Sequence, residues 1–241
     1  MKFKTSFLII AYFFFVDKSF AQLYIQPQYG NIFNKSSILV SVPQSVSVWD
    51  QNHYFGLLIG KKIGKIDHSF GYFHHNIGIS HRIDARPIYG FGWGKSYMVL
   101  LNFSYKFDYN VLHWKRLDVN IGSNLHLAVS RATYPNLKSS GGGIIQQGSN
   151  IVAVGNYTTQ AFERSQLMLE PHLDIDLRLL KKVAWNIHVG HVFGNKNIYT
   201  MTTKYTLNGV FQSEGSNEVD GTANVFSTGF KFYFKQKKPK E

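Results

Sequence analysis

Residues 97–108 read Tyr-Met-Val-Leu-Leu-Asn-Phe-Ser-Tyr-Lys-Phe-Asp. Tyr97, Val99, Leu101, Phe103, Tyr105 and Phe107 take every second position, with Met98, Leu100, Asn102, Ser104, Lys106 and Asp108 between them. Side chains alternate between the two faces of an extended strand, so this stretch has one wholly apolar, largely aromatic face. Its other face turns polar towards the end.

The same alternation recurs in both directions. Leu117, Val119, Ile121, Leu125, Leu127 and Val129 oppose Arg116, Asp118, Asn120, Asn124 and His126. Leu167, Leu169, Leu173, Ile175, Leu177 and Leu179 oppose Arg164, Gln166, Glu170, His172, Asp174, Asp176 and Arg178. After Lys181-Lys182, Val183, Trp185, Ile187 and Val189 oppose Asn186 and His188. Upstream, Phe55, Leu57, Ile59 and Ile63 form a strand that turns at Gly64–Asp67 into Phe73, Ile77 and Ile79. Leu23–Phe33 and Asn224–Phe234 complete the set as first and last strands. The reading is all-β, with about eight strands of roughly ten residues, the length that tilted barrel strands need to cross a bilayer.

Connection lengths give the topology. Tight turns near Gly64–Asp67, Asn110–Lys115 and Leu180–Val183 alternate with long connections near Asn34–Asn52, Asp84–Lys95, Arg131–Gln160 and Lys196–Gly221. This predicts an up-and-down antiparallel transmembrane β-barrel, with short turns towards the periplasm and long loops outside. The loop around Ser139-Ser140-Gly141-Gly142-Gly143 reads as flexible by composition.

A soluble barrel of lipocalin type would turn the apolar face inward. Eight strands enclose only enough room for side chains or one small ligand. Phe103, Tyr105, Phe107, Trp185, Phe230, Phe232 and Phe234 are too much aromatic bulk for that space, so the apolar face is expected to meet lipid. Trp114, Trp185, Phe107 and Phe234 fall near the short-turn end, as an interfacial girdle would. Mean hydropathy of −0.16 and the lack of a second long apolar run exclude a bundle of membrane helices, which leaves a closed barrel as the way to span a membrane.

Residues 1–21 have the layout of a signal peptide: Lys2 and Lys4, an apolar run from Phe7 to Val16, and Ser19-Phe20-Ala21 before an expected cut. The domain plan is therefore 1–21 signal peptide, 22–234 barrel and 235–241 basic tail. There is no cysteine, which removes disulfides, thiolate zinc sites and a lipid-anchored N-terminus. The net charge of +12 suits acidic partners. Export and the lack of any nucleic-acid motif disfavour nucleic acid, and lipopolysaccharide phosphates and other outer-membrane lipids fit the compartment.

Ser227-x-Gly229-x-x-Phe232-x-Phe234 resembles the terminal-strand signal of the small eight-stranded outer-membrane barrels of bacteria. That resemblance implies location in the bacterial outer membrane and recognition by the barrel-assembly machinery. The basic tail after Phe234 departs from members that stop at the final aromatic. Together with a cut before Gln22, the tail looks like barrels of the Bacteroidetes type.

Chemistry concentrates on Glu170-x-His172-x-Asp174-x-Asp176-x-Arg178, five ionisable residues on one strand face. His172, Asp174 and Asp176 are the catalytic candidates, by analogy with outer-membrane proteases of the omptin family, which use paired carboxylates and a histidine to activate water. The preferred reading is a packed lumen network in which Arg82, Lys106, Arg116, Arg164, Arg178 and Lys231 neutralise Asp118, Glu170, Asp174 and Asp176. The His-x-Ser pair of lipid A deacylases is absent. Gly94-Lys95-Ser96 lacks the upstream glycine of a phosphate loop. His75 and His81 are expected to face lipid and His74 the lumen, so neither a metal nor a cofactor is expected. Tyr89, Phe91 and Trp93, interleaved with glycines, are the candidate loop-binding residues. The function expected is a non-enzymatic barrel that binds an extracellular ligand or envelope protein, or supports the envelope. The alternatives are an envelope hydrolase and an accessory barrel of a secretion system.

Overall fold

In a computed structural model, the described residues are 22–34, 37–40, 45–47, 50–79, 81–85, 89–92, 96–131, 139–147, 150–161, 165–207 and 210–234. The expected signal peptide, the basic tail, Trp93 and Arg164 lie outside them. In chain order the strands are β1 (Gln22–Asn34), β2 (Ser37–Val40), β3 (Ser45–Ser47), β4 (Asp50–Ile63), β5 (Ile66–Ile79), β6 (His81–Ala85), β7 (Tyr89–Gly92) and β8 (Ser96–Trp114). There follow β9 (Leu117–Arg131), β10 (Ser139–Gln147), β11 (Asn150–Ala161), β12 (Ser165–Leu180), β13 (Val183–Val192), β14 (Tyr199–Leu207), β15 (Val210–Val219) and β16 (Ala223–Tyr233).

Eight of these close into an antiparallel barrel in the order β1-β16-β13-β12-β9-β8-β5-β4, and β4 pairs back onto β1. They are the eight strands that the alternation predicts. No helix among the described residues is long and apolar enough to cross a membrane.

The faces separate as the decisive stretch requires. Phe103 and Phe107 are exposed, while Asn102, Ser104, Lys106 and Asp108 are buried. Leu125, Leu127, Leu167, Leu169, Leu173 and Leu177 continue the exposed apolar belt around the barrel. The girdle residues Phe107, Trp114, Trp185 and Phe234 are exposed as well.

Inside, three zones follow one another. At the short-turn end Tyr24, Ala184 and Tyr233 cluster, with the two rings edge-on at 5.8 Å. The middle is polar. Towards the long-loop end Ile32, Tyr54, Phe73, Leu100, Ala128, Met168, Val192 and Val225 are buried, with the amides of Asn34, Asn52, Asn102 and Gln166 among them.

β1 and β16 close the barrel through glycine on both strands. A Cβ on Gly30 would lie 2.3 Å from the Phe226 carbonyl oxygen, and one on Gly229 would lie 2.2 Å from that of Pro27. Neither position has room for a side chain, so the glycines are what lets these two backbones approach.

Four expectations are corrected. The second tight turn is not Asn110–Lys115: β8 runs on to Trp114 and the turn is Lys115-Arg116, a bulge near Asn110–Leu112 having shifted the register. The long connections are not plain loops. They supply β10-β11-β14-β15-β2 as a five-stranded sheet and β3-β6-β7 as a three-stranded one. Ser139–Gly143 belongs to β10, paired with β11 from Ser139↔Thr159 onward, because the β-branched residues after it propagate a ladder back through the glycines. Finally, β5 is inverted relative to the reading from Phe73, Ile77 and Ile79. Asp67, Ser69, Phe73 and His75 are buried in the lumen, whereas His74 stacks on the exposed Phe55. Burying Asp67 beside Lys231 sets the parity of the whole strand, and aromatic residues on both of its faces hid that parity from a hydrophobicity count.

Candidate functional site: the polar lumen

The polar zone is built by alternation: each barrel strand sends every second residue inward, and the inward positions at mid-height are ionisable or amide-bearing. β12 contributes Glu170, His172, Asp174 and Asp176, all buried. Their partners come from strands across and beside it.

Lys106 of β8 donates to Asp174 and lies 3.4 Å from Asp108. His172 Nε2 is 2.5 Å from Asp108 Oδ1. His188 of β13 bridges two carboxylates, with Nδ1 2.6 Å from Asp174 Oδ1 and Nε2 2.6 Å from Glu170 Oε1. An ionised carboxylate can only accept, so both ring nitrogens donate, or one of the acids holds a proton. The second Glu170 oxygen accepts from Asn124 Nδ2 at 3.0 Å and faces His126 Nε2 at 2.5 Å.

A second cluster sits nearer the short turns. Lys231 of β16 donates to Asp176 at 2.7 Å and lies 3.5 Å from Asp67, which accepts from the Tyr24 hydroxyl at 2.7 Å. Asn186 and Asn120 donate to Asp176 at 2.7 and 3.1 Å. At the rim, Lys62 and His113 hold Asp118 at 3.0 and 2.5 Å.

The network expectation is thus met with a partly different set of partners. Lys106 and Lys231 pair with carboxylates as expected, Lys62 pairs with Asp118, and the imidazoles of His113, His126, His172 and His188 contact carboxylates as well. Arg116 is exposed in a turn, and the Arg178 guanidinium lies over the Tyr233 ring at 5.9 Å. The catalytic candidates His172, Asp174 and Asp176 do not form one unit: His172 and Asp174 belong to the Lys106 cluster and Asp176 to the Lys231 cluster.

One arrangement was missed in the sequence. Ser104 Oγ is 2.5 Å from His126 Nδ1, and His126 Nε2 reaches Glu170. Hydroxyl, imidazole and carboxylate in series are the parts of an activated nucleophile. They stand on β8, β9 and β12, so no local motif announces them. Only the shared inward parity of Ser104, His126 and Glu170 pointed that way. Ser104 is 4% exposed, and the adjoining cavity, lined by His126, Glu170, His75 and Asn124 under Tyr54, Phe73 and Val225, measures about 10 Å³. That is room for about one water, not for a substrate.

Two overlapping trios also have metal-ligand chemistry: Glu170, His172 and His188, and Asp108, His172 and Asp174, each with ligand atoms within 4.8 Å of one another. Their nitrogens and oxygens already bond to one another or to Lys106, so an ion there would replace protons. Of the loop candidates, Tyr89 and Phe91 lie in β7, paired as Ala85↔Tyr89 and Ile83↔Phe91.

Comparison with solved structures sets this architecture in context. The outer membrane protein OprG from Pseudomonas aeruginosa is similar over 89% of this chain and 96% of its own, at 11% identity and a TM-score of 0.51. The fold is that of bacterial outer-membrane barrels. Neisserial surface protein A (10% identity, TM-score 0.43, 90% of this chain and 100% of that one) and a major outer membrane protein from Thermus thermophilus (10%, 0.44, 89% and 99%) are more distant in shape. No family model matches the chain, and no curated protein matches it in sequence.

Proposed function

We propose that this chain is a non-enzymatic protein of the bacterial outer membrane, exported by residues 1–21, whose barrel is a sealed support for binding at the long-loop end. The observation that carries this reading is the lumen. It is filled by paired charges and capped by Tyr54, Phe73 and Leu100, so it offers neither a conduit nor a substrate chamber. The long connections, by contrast, are folded into two further sheets. Recognition of Ser227, Gly229, Phe232 and Phe234 by the barrel-assembly machinery, contact with lipopolysaccharide, and kinship with the Bacteroidetes type of barrel belong to the same proposal.

The test is chemical cross-linking on intact envelopes, comparing the parent with a variant in which residues 139–161 are replaced by a short turn. Envelope molecules captured by the parent and lost with the hairpin would support binding there. An identical capture profile would overturn it.

The Ser104–His126–Glu170 series favours a second reading, an envelope hydrolase. A fluorophosphonate probe that labels the folded parent but not Ser104→Ala would establish it. No labelling is expected, because Ser104 is buried and the adjoining cavity holds only about one water.

A further inference from the structure

The short-turn end carries a charge pattern that the lumen does not use. Its turns are Gly64-Lys65, Lys115-Arg116 and Lys181-Lys182, and all five cationic side chains are exposed. The acids at this level, Asp67 and Asp118, point inward and pair with Lys231, and with Lys62 and His113. The rim is therefore cationic, with no exposed carboxylate beside it among the described residues.

Two further observations tie this rim to a bilayer surface. Exposed Tyr109 and Trp114 stand just inside it, with Lys65 Nζ 6.0 Å from the Tyr109 ring centroid and Lys115 Nζ 5.4 Å from that of Trp114. Such rings sit at headgroup depth, which puts the ammonium groups at the level of lipid phosphates. Lys115 is also held at φ 51°, the left-handed region that disfavours a side chain, whereas the first turn fills this need with Gly64 at φ 60°. A lysine kept where glycine would suit the backbone better points to use of its charge.

We propose that this rim binds the phosphates of anionic phospholipid headgroups in the leaflet that the short turns face. Attraction of clustered lysine and arginine to an anionic surface adds per residue and fades within a Debye length. The proposal rests on the membrane-barrel reading, so the experiment first verifies the folded barrel by its faster migration on an unheated gel.

The folded full-length protein in neutral detergent is titrated with phosphatidylglycerol, with phosphatidylcholine of the same chains, or with inorganic phosphate, and retained lipid is counted by native mass spectrometry. Phosphatidylglycerol should be retained about tenfold better or more, with the preference weakening as salt rises. Replacing Lys65, Lys115, Arg116, Lys181 and Lys182 by Gln should remove the preference. Lys115→Gly should fold at least as well as the parent and lose part of it, a loss that turn geometry cannot explain. Equal retention of the two lipids, or a preference that survives the five replacements, would overturn the proposal. Inorganic phosphate that displaces the lipid at equal concentration would reduce the rim to a bare anion site and overturn it too. Failure of the gel test would instead remove the barrel reading on which all of this stands.

Discussion

Asp174 takes a proton-bearing partner from each side, Lys106 from β8 and His188 from β13. Asp174→Asn would leave a buried ammonium without its strongest acceptor. Breaking a buried pair by removing one member costs about 3–5 kcal/mol, so the urea midpoint of the folded barrel should fall well below the parent's. Ser104→Ala removes one hydroxyl hydrogen bond to an imidazole and should cost only about 1 kcal/mol, and the same unfolding measurement compares the two. If the Ser104 variant proved the more damaging, the weight given to the charged cluster would be misplaced. Alternation along β12 made the inward set legible, because parity needs nothing but neighbours in sequence. The partners were not legible: Lys106 is 68 residues from Asp174 and Lys231 is 55 from Asp176, and only barrel closure brings them together. Arg178 was the natural cation to choose from local spacing, yet it stacks on Tyr233.

On the scale of elements, β16 must close the barrel on β1 and also carry the proposed assembly signal. Its inward Ser227 and Gly229 face the crowded seam, while Phe232 and Phe234 are exposed to lipid, and the Phe234 N–H donates to the Leu23 carbonyl at 2.9 Å. Phe234→Ala should therefore lower the yield of inserted barrel more than deletion of residues 235–241, as read by the heat-modifiable fraction in isolated membranes. A block caused by the tail deletion alone would refute the signal as drawn. Gly229→Val should be more severe than either, since its Cβ would stand 2.2 Å from a backbone oxygen and backbone cannot swing aside as a side chain can. The eight barrel strands were legible because lipid on one side and a polar lumen on the other impose strict alternation. β10 and β11 were not, because glycine and serine dominate the composition around Ile144, Ile145, Ile151, Val152 and Val154. β5 was placed but inverted, since Phe70 and Phe73 sit on opposite faces and only the charge of Asp67 decides between them.

For the molecule as a whole, the closed hydrogen-bonded cylinder, the apolar belt and the side-chain-filled lumen lead to one measurable property. A closed barrel has no free strand edge, so every backbone group in the bilayer is satisfied internally and detergent cannot unzip it from one side. The chain should run faster on a gel unheated than boiled, and should fractionate with outer membranes. The lumen then decides what the inserted barrel does electrically. Across its middle lie Lys106, Lys231, Glu170, Asp174 and Asp176, each buried and bonded to another wall of the barrel, and above them Tyr54, Phe73 and Leu100 are packed with 4% exposure or less. An ion crossing here would have to displace paired charges and then buried apolar side chains while losing its own hydration, and the cavity beside Glu170, His126 and His188 holds about one water. Planar bilayers containing the folded protein should therefore show no steady conductance above the bare membrane. Cutting back the cap by Tyr54→Ala together with Phe73→Ala should not by itself open a path, because the charged slab beneath remains closed. Adding Lys106→Ala and Asp174→Ala, which removes a cross-lumen pair as a unit and leaves neither partner alone, should produce measurable current if the barrel still folds by the gel test. Steady porin-like current through the unmodified protein would show that the side chains filling the lumen do not seal it, and the support role proposed for the barrel would give way to transport.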